Sequence, residues 1–277
     1  MKVASMKKVD LEPVRRLDVG SWRVELLPRH PYEASYIPDQ AVIGFAFESQ
    51  SGLHAFSSDY VYPFHARPNS LAYVPTGCEV FSSSLKGGEY LRVIDANGTQ
   101  MIGSMQRHFN DVIDPIAIAT AQRIRGLLLT NAPVALLIEE KAVLLAERVQ
   151  LALTGCIPEP LNGRWMTSAR LRRIDELIDS TIGEEITIQE MAASLGLSEG
   201  FFIRTFKAAV GKSPHSYLID RRIAQARVLL RTWHHDLREV ALASGFSSHA
   251  HMTAVFKSRL GIPPSLLRHS KQLAIKR

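Results

Sequence analysis

Between Ile186 and Pro264 the apolar positions run through one pattern twice. In the first copy Ile188, Met191, Ala192 and Leu195 fall at i, i+3, i+4 and i+7, which predicts a short helix with one buried face. After Gly196 and Ser198 comes a second stripe, Phe202, Phe206 and Ala209 or Val210, so Gly200, Ile203, Arg204 and Lys207 form the outward face of a further helix. The second copy buries Met252 and Phe256 and turns Ala250, Thr253, Ala254 and Lys257 outward. Glu190, Ala192, Gly196 and Ser198 precede Glu239, Ala241, Gly245 and Ser247 by 49 residues, whereas Phe206, Gly211 and Pro214 precede Phe256, Gly261 and Pro264 by 50. One extra residue is therefore placed at the start of the second copy's later helix.

The polar positions punctuate these helices. Thr187 with Glu190, and Asp236 with Glu239, have the spacing of a capping box. Gly196 and Gly245 supply left-handed stops, and Ser198 and Ser247 or Ser248 can cap the later helix of each copy. Two helices joined by a glycine turn, the second with a polar and basic outer stripe, is the helix-turn-helix layout that enters a major groove. Pro214, at the first position after Ser213, opens a helix to about Thr232, roughly 27 Å at ~1.5 Å per residue. Such a rod can hold two reading helices about one DNA turn apart, ~34 Å.

Upstream the texture changes. Trp22–Leu26 alternates, Ala41–Phe47 is β-branched and aromatic, and Ser70–Val74 and Tyr90–Ile94 continue the theme. Turn signals stand at Pro38-Asp39, Ser51-Gly52, Pro68-Asn69, Pro75-Thr76-Gly77, Gly87-Gly88 and Asn97-Gly98. Many short strands so spaced predict an antiparallel barrel or double sheet of jelly-roll type. Residues 1 to about 20 read as a mobile or lightly docked lead-in. Met105 to about Thr130 and Pro133–Leu153 read as helices, the second either a dimerisation helix or packing for the β domain. The expected boundaries are a β-rich domain over 1–153, a Gly/Pro-bearing linker over 154–165, and a helical domain over 166–277 with units at about 187–210 and 236–260. The fold class is α+β with two domains.

Charge sharpens this division. The 277 residues carry a net +6, with 15 basic and 16 acidic residues over 1–155 (−1) and 18 and 11 over 156–277 (+7). The excess lies in the half with the doubled motif and reads as polyanion binding or as a solubilising surface. Cys78 and Cys156 show no disulfide framework or metal spacing, which fits a reducing cytoplasm. Lys2, Lys7 and Lys8 are followed by no apolar signal region, and no apolar run approaches ~18 residues, so neither secretion nor a membrane span is expected.

The segments EMAASLGLS, RTFK, SPHSYLIDRRI and EVALASGFSSHAHMTAVFK resemble the DNA-binding domain of AraC/XylS-type transcription regulators, over roughly residues 167–270. The resemblance implies a bipartite helix-turn-helix domain joined to an effector-sensing, dimerising N-terminal domain. It favours activation over repression, with RNA polymerase as a candidate partner. ARPNSLAYVPTGCEVFSSS is similar to the cupin-like sensor domain of such regulators. Arg204 stands where the family often places a base-reading arginine, whereas Ala254 stands where a long polar residue is common.

These placements define the candidate chemistry. A planar guanidinium such as that of Arg204 can bond guanine O6 and N7 together, or instead contact phosphate or pair with Glu199 or Asp220. Glu199, Gly200, Ile203, Lys207, His249, Ala250, His251, Thr253, Ala254 and Lys257 complete the expected DNA-facing set; Lys207 and Lys257 suit the backbone, and Ala250 and Ala254 suit thymine methyls. Arg221 and Arg222 suit packing of the long helix. Tyr60, Tyr62, Phe64, His65, Arg67 and Tyr73 crowd into fourteen residues, and His30, Tyr62, His65, Arg67, Tyr73 and Arg92 are candidate contacts to a small effector. His54 and His65 lie eleven apart with no partner at ligand spacing, so no metal site is expected; no phosphate loop or nucleophile elbow appears, so neither cofactor nor enzymatic activity is expected. The expectation is a cytoplasmic, sequence-specific regulator of double-stranded DNA, homodimeric, and shifted between dimer geometries by a small molecule. The alternatives are a cupin-type enzyme with a DNA-binding tail and a constitutive DNA-binding protein whose N-terminal domain only dimerises.

Overall fold

A computed structural model describes residues 15–96, 107–130, 132–157, 161–232 and 236–267. The chain divides into two compact units, residues 1–160 and 161–277.

The first unit is built from antiparallel strands: β1 (Arg15–Val19), β2 (Trp22–Leu27), β3 (Tyr32–Tyr36), β4 (Val42–Ala46), β5 (Gln50–Phe56), β6 (Tyr62–Ala66), β7 (Ser70–Val74), β8 (Val80–Ser84), β9 (Tyr90–Asp95) and β10 (Phe109–Ile113). They form a six-stranded sheet, β1-β2-β9-β4-β7-β10, and a four-stranded sheet, β3-β8-β5-β6. Side chains alternate across a strand, so register assigns each residue a face. Val24, Val93, Ile43 and Tyr73 stand opposite one another in the large sheet, as do Leu26, Leu91, Phe45 and Leu71, and all are nearly inaccessible. Helices α1 (Pro115–Leu129) and α2 (Ala135–Leu153) pack on this sheet. Asp114 caps α1 by accepting from the Ile116 and Ala117 amides, each at 2.8 Å, and takes the Arg148 guanidinium of α2 at 2.5 and 3.0 Å. Arg125 of α1 bonds the buried Glu89 at 3.1 Å and lies over the Phe47 ring, so it ties the helix to the loop before β9.

Several expectations require correction. Residues 15–19 of the supposed lead-in form β1, closed onto β2 by a turn at Gly20; residues 1–14 lie outside the described set, as do Asn97-Gly98 and Met105. The helix expected from Met105 begins only at Pro115, because residues 109–113 pair with β7 and the Asp114 cap with Pro115 sets a later start. Ser51-Gly52 is not a turn but part of β5. A Cβ at Gly52 would stand 1.8 Å from the Ser83 carbonyl oxygen, so glycine there permits close strand approach.

The second unit opens with a 3-10 turn, Leu161–Trp165, followed by α3 (Ser168–Ser180), α4 (Ile188–Ser194), α5 (Glu199–Val210), α6 (Pro214–Thr232), α7 (Leu237–Ala243) and α8 (His249–Leu260). Its first core joins Leu171, Ile174, Met191, Phe202, Phe206 and Tyr217. Met252, Phe256 and Leu260 are equally buried on α8. Among the described residues no helix is long and apolar enough to cross a membrane.

Candidate nucleic-acid interface

The repeated pattern becomes two matching helix pairs. α4 and α7 have seven residues each, and α5 and α8 twelve. The extra residue of the second copy therefore lies in the turn, Ser244–Ser248 against Leu195–Ser198, and not within the later helix. Thr187 and Glu190 exchange both bonds of a capping box, at 2.7 and 3.1 Å, and the Thr187 donors hold the Glu190 carboxyl below its ordinary range. Asp236 caps α7 more loosely, accepting from the Arg238 amide at 3.5 Å. Gly196 (φ 66°) and Gly245 (φ 79°) turn the chain in the left-handed region. Ser248 is the cap of α8, bonded to the His251 amide at 3.1 Å, while Ser247 meets His251 Nδ1 at 3.0 Å; Ser198 stands at the cap of α5 without a side-chain bond.

On α5, Glu199, Gly200, Arg204 and Lys207 are exposed and Ile203 is half-buried. Arg204 makes no hydrogen bond or ion pair among the described residues, and Asp220 is instead held by Lys212. A guanidinium fork thus stands exposed on the face opposite Phe202 and Phe206. On α8, His249, Ala250, His251, Ala254 and Lys257 are exposed, and Thr253 is half-buried with its hydroxyl unpartnered among the described residues. α6 is fixed to its surroundings by Tyr217 Oη to Asp175 at 2.5 Å, Arg221 to Asp179, Arg222 to the Glu184 carbonyl at 2.8 Å, and Ser216, which accepts from Arg259 of α8 at 3.0 Å. Packing within the unit, not phosphate contact, therefore occupies Arg221 and Arg222.

In the first unit the inner faces of the two sheets carry a second polar group. Arg92, Tyr90 and Ile94 of β9 and Ala72 and Val74 of β7 are half-buried, in contrast with the nearly inaccessible opposite face of the same strands. Facing them on the small sheet are Tyr32, Tyr36, His54, Tyr62 and Phe64; Tyr32 reaches Ser82 at 3.2 Å. The Tyr90 hydroxyl fills the space above Gly44, where a Cβ would stand 1.8 Å away. Burial, with Tyr36 and Tyr32 nearby, pushes the Tyr90 phenol up, and Arg92 counters it. Glu25 lies 3.6 Å from Arg92 and 4.0 Å from Arg16. Of the expected effector contacts, only Tyr62 and Arg92 share this space. His30 is exposed and meets the Pro31 carbonyl, His65 bonds Ser51 on the outer face, Arg67 is held by Asp111 at 2.7 Å, and Tyr73 belongs to the face that carries the helices. Tyr32, Tyr36, Tyr90 and His54 are absent from the expected effector contacts; the alternation of Gly52, His54 and Phe56 is the signal in the chain that points to this face.

His54 is 6% exposed, stacks on Phe64 with centroids 4.7 Å apart, and has no hydrogen bond to its ring nitrogens among the described residues. Burial, helped by His108, depresses its pKa from 6.5 to about 4. The ring is neutral when folded but titrates near 6.5 when unfolded, so its contribution to stability is complete above that value and lost as pH falls toward about 4. The melting temperature should fall over that interval, and His54→Gln should flatten the fall; an equal slope in both proteins would contradict this.

Two capped helix pairs, each presenting a polar outer stripe and joined by one anchored helix, define a tandem helix-turn-helix module. Residues 191–270 match the family model described as "Helix-turn-helix domain". The transcriptional regulator MtrA of Neisseria gonorrhoeae is 32% identical over 100 residues, 35% of this chain and 33% of its own. A Chromobacterium violaceum regulator described by its AraC-type DNA-binding domain is 28% identical, with 38% of this chain and 94% of that one covered and a TM-score of 0.36. The DNA-binding domain of AdpA, solved with a target DNA, is also 28% identical over 38% of this chain and 95% of its own, at a TM-score of 0.36. The C-terminal unit thus carries a helix-turn-helix domain over residues 191–270. The match spans about a third of the length of the curated relatives.

Proposed function

We propose that the whole chain is a cytoplasmic, sequence-specific transcription regulator that binds double-stranded DNA through α5 and α8 and responds to a small molecule through its first unit. The observation that carries this is the exposed outer face of α5, where Arg204 and Lys207 stand without internal partners among the described residues. Arg204 reads guanine, Lys207 and Lys257 contact phosphate, and Ala250 and Ala254 rest on thymine methyls, with His249, His251 and Thr253 offering hydrogen bonds. The effector occupies the space between the sheets, against Tyr32, Tyr36, Tyr62, Tyr90, Arg92 and His54. A homodimer formed through the first unit then shifts between geometries that reach different paired sites, with RNA polymerase as the downstream partner for activation.

Arg204→Ala should cost about 1 to 3 kcal/mol at the cognate sequence and relax preference at one base position. Lys257→Ala should weaken all sequences alike and lower the salt slope by about one. Titrations against a cognate and a scrambled duplex at several salt concentrations separate the two. An Arg204→Ala effect that is equal on both duplexes would sink base readout by that residue.

A further inference from the structure

The turn Leu161–Trp165 packs along α5, outside the matched residues 191–270. A Cβ at Gly163 would stand 3.3 Å from the Ala208 carbonyl oxygen, and the Trp165 ring meets Phe201 edge-on with centroids 5.6 Å apart. Phe201 and Ala208 are the i−3 and i+4 neighbours of Arg204, so the turn lines the flank of the reading helix immediately beside that guanidinium. Met166 is buried in the core and fixes the segment, yet its neighbour Trp165 is 56% exposed. Its carbonyl accepts from Arg170 at 2.6 Å. Residues 161–174 contain Arg164, Arg170, Arg172 and Arg173 and no acidic residue.

A helix lying in a major groove has a sugar-phosphate backbone along each flank, and an element packed there meets it. From this we propose that the Arg164–Trp165 turn is a second DNA contact: a clamp on the backbone bordering the half-site that α5 reads. Arg164 is exposed on the turn itself, and its cation suits a phosphate. The indole lies against a deoxyribose face, where its apolar surface is covered, and its N–H donates to a phosphate oxygen. The clamp carries little sequence information of its own; it fixes register and depth so that Arg204 meets its base. This rests on the DNA-binding reading of α5.

Hydroxyl-radical footprinting of the full chain on a selected duplex tests it, with folding of each variant checked by thermal melting. Trp165→Ala should lose sugar protection at one border of the site and bind several-fold more weakly, while the base preference set by Arg204 remains. Trp165→Phe should keep most of that protection, and Arg164→Ala should lower the salt slope by about one. A wild-type footprint left unchanged by both Trp165→Ala and Arg164→Ala would overturn the clamp alone. A wild-type chain that protects no DNA would overturn the clamp together with the reading of α5.

Discussion

Gly245→Ala is expected to destabilise the C-terminal unit by about 2 to 5 kcal/mol, whereas Gly196→Ala, at the same place in the first copy, should cost only about 1 to 2. Both glycines have positive φ, so each substitution meets the left-handed penalty. Only Gly245 is also closed in. A Cβ there would stand 2.1 Å from the Ile182 carbonyl oxygen and 2.6 Å from Arg222 Nε, whereas nothing lies within 4 Å at Gly196. The turn of the second copy is therefore seated on the segment after α3 and on α6, while the turn of the first is open. Urea denaturation of the two variants measures the difference, and equal costs would mean that the second turn is not seated in this way.

The second large effect belongs to the first unit. Arg125→Met should cost about 3 to 5 kcal/mol, because it leaves the Glu89 carboxylate buried without its guanidinium. It also removes the cation over Phe47, 4.5 Å from the ring centroid. Replacing both partners, Arg125→Met with Glu89→Gln, should recover much of the loss, since the buried carboxylate charge is then gone. Thermal unfolding of the single and double variants decides it; a single variant within about 0.5 kcal/mol of the parent would show that the pair does not hold α1 to the sheet.

The C-terminal unit was legible because its determinants are local. Thr187 and Glu190 lie three residues apart, Gly196 and Gly245 fall just after each first helix, and Phe202 with Phe206 share a face by helical spacing alone. The first unit was legible only where β-branched or aromatic runs were dense, in β2, β4, β7 and β9. β5, β6 and β8 are rich in Gly, His, Pro and Ser, and β10 precedes a helix directly, so apart from Gly52, His54 and Phe56 in β5 none of them shows a clear period of two. Which face of a central strand lines the inter-sheet space is set by pairing between residues far apart in sequence. Tyr73 and Tyr90 look alike in the chain, yet register places one beneath the helices and the other above Gly44. Arg204 needed no such information, because two turns of one helix already set its direction.

Selection of bound fragments from a random DNA pool by the full chain tests the central claim most directly. Two reading helices held by α6 predict enrichment of a pair of short motifs on one face of the duplex, about one helical turn apart, with one guanine position lost from the consensus in Arg204→Ala. Recovery of unenriched DNA, or of one motif whose consensus is unchanged by Arg204→Ala, would contradict it.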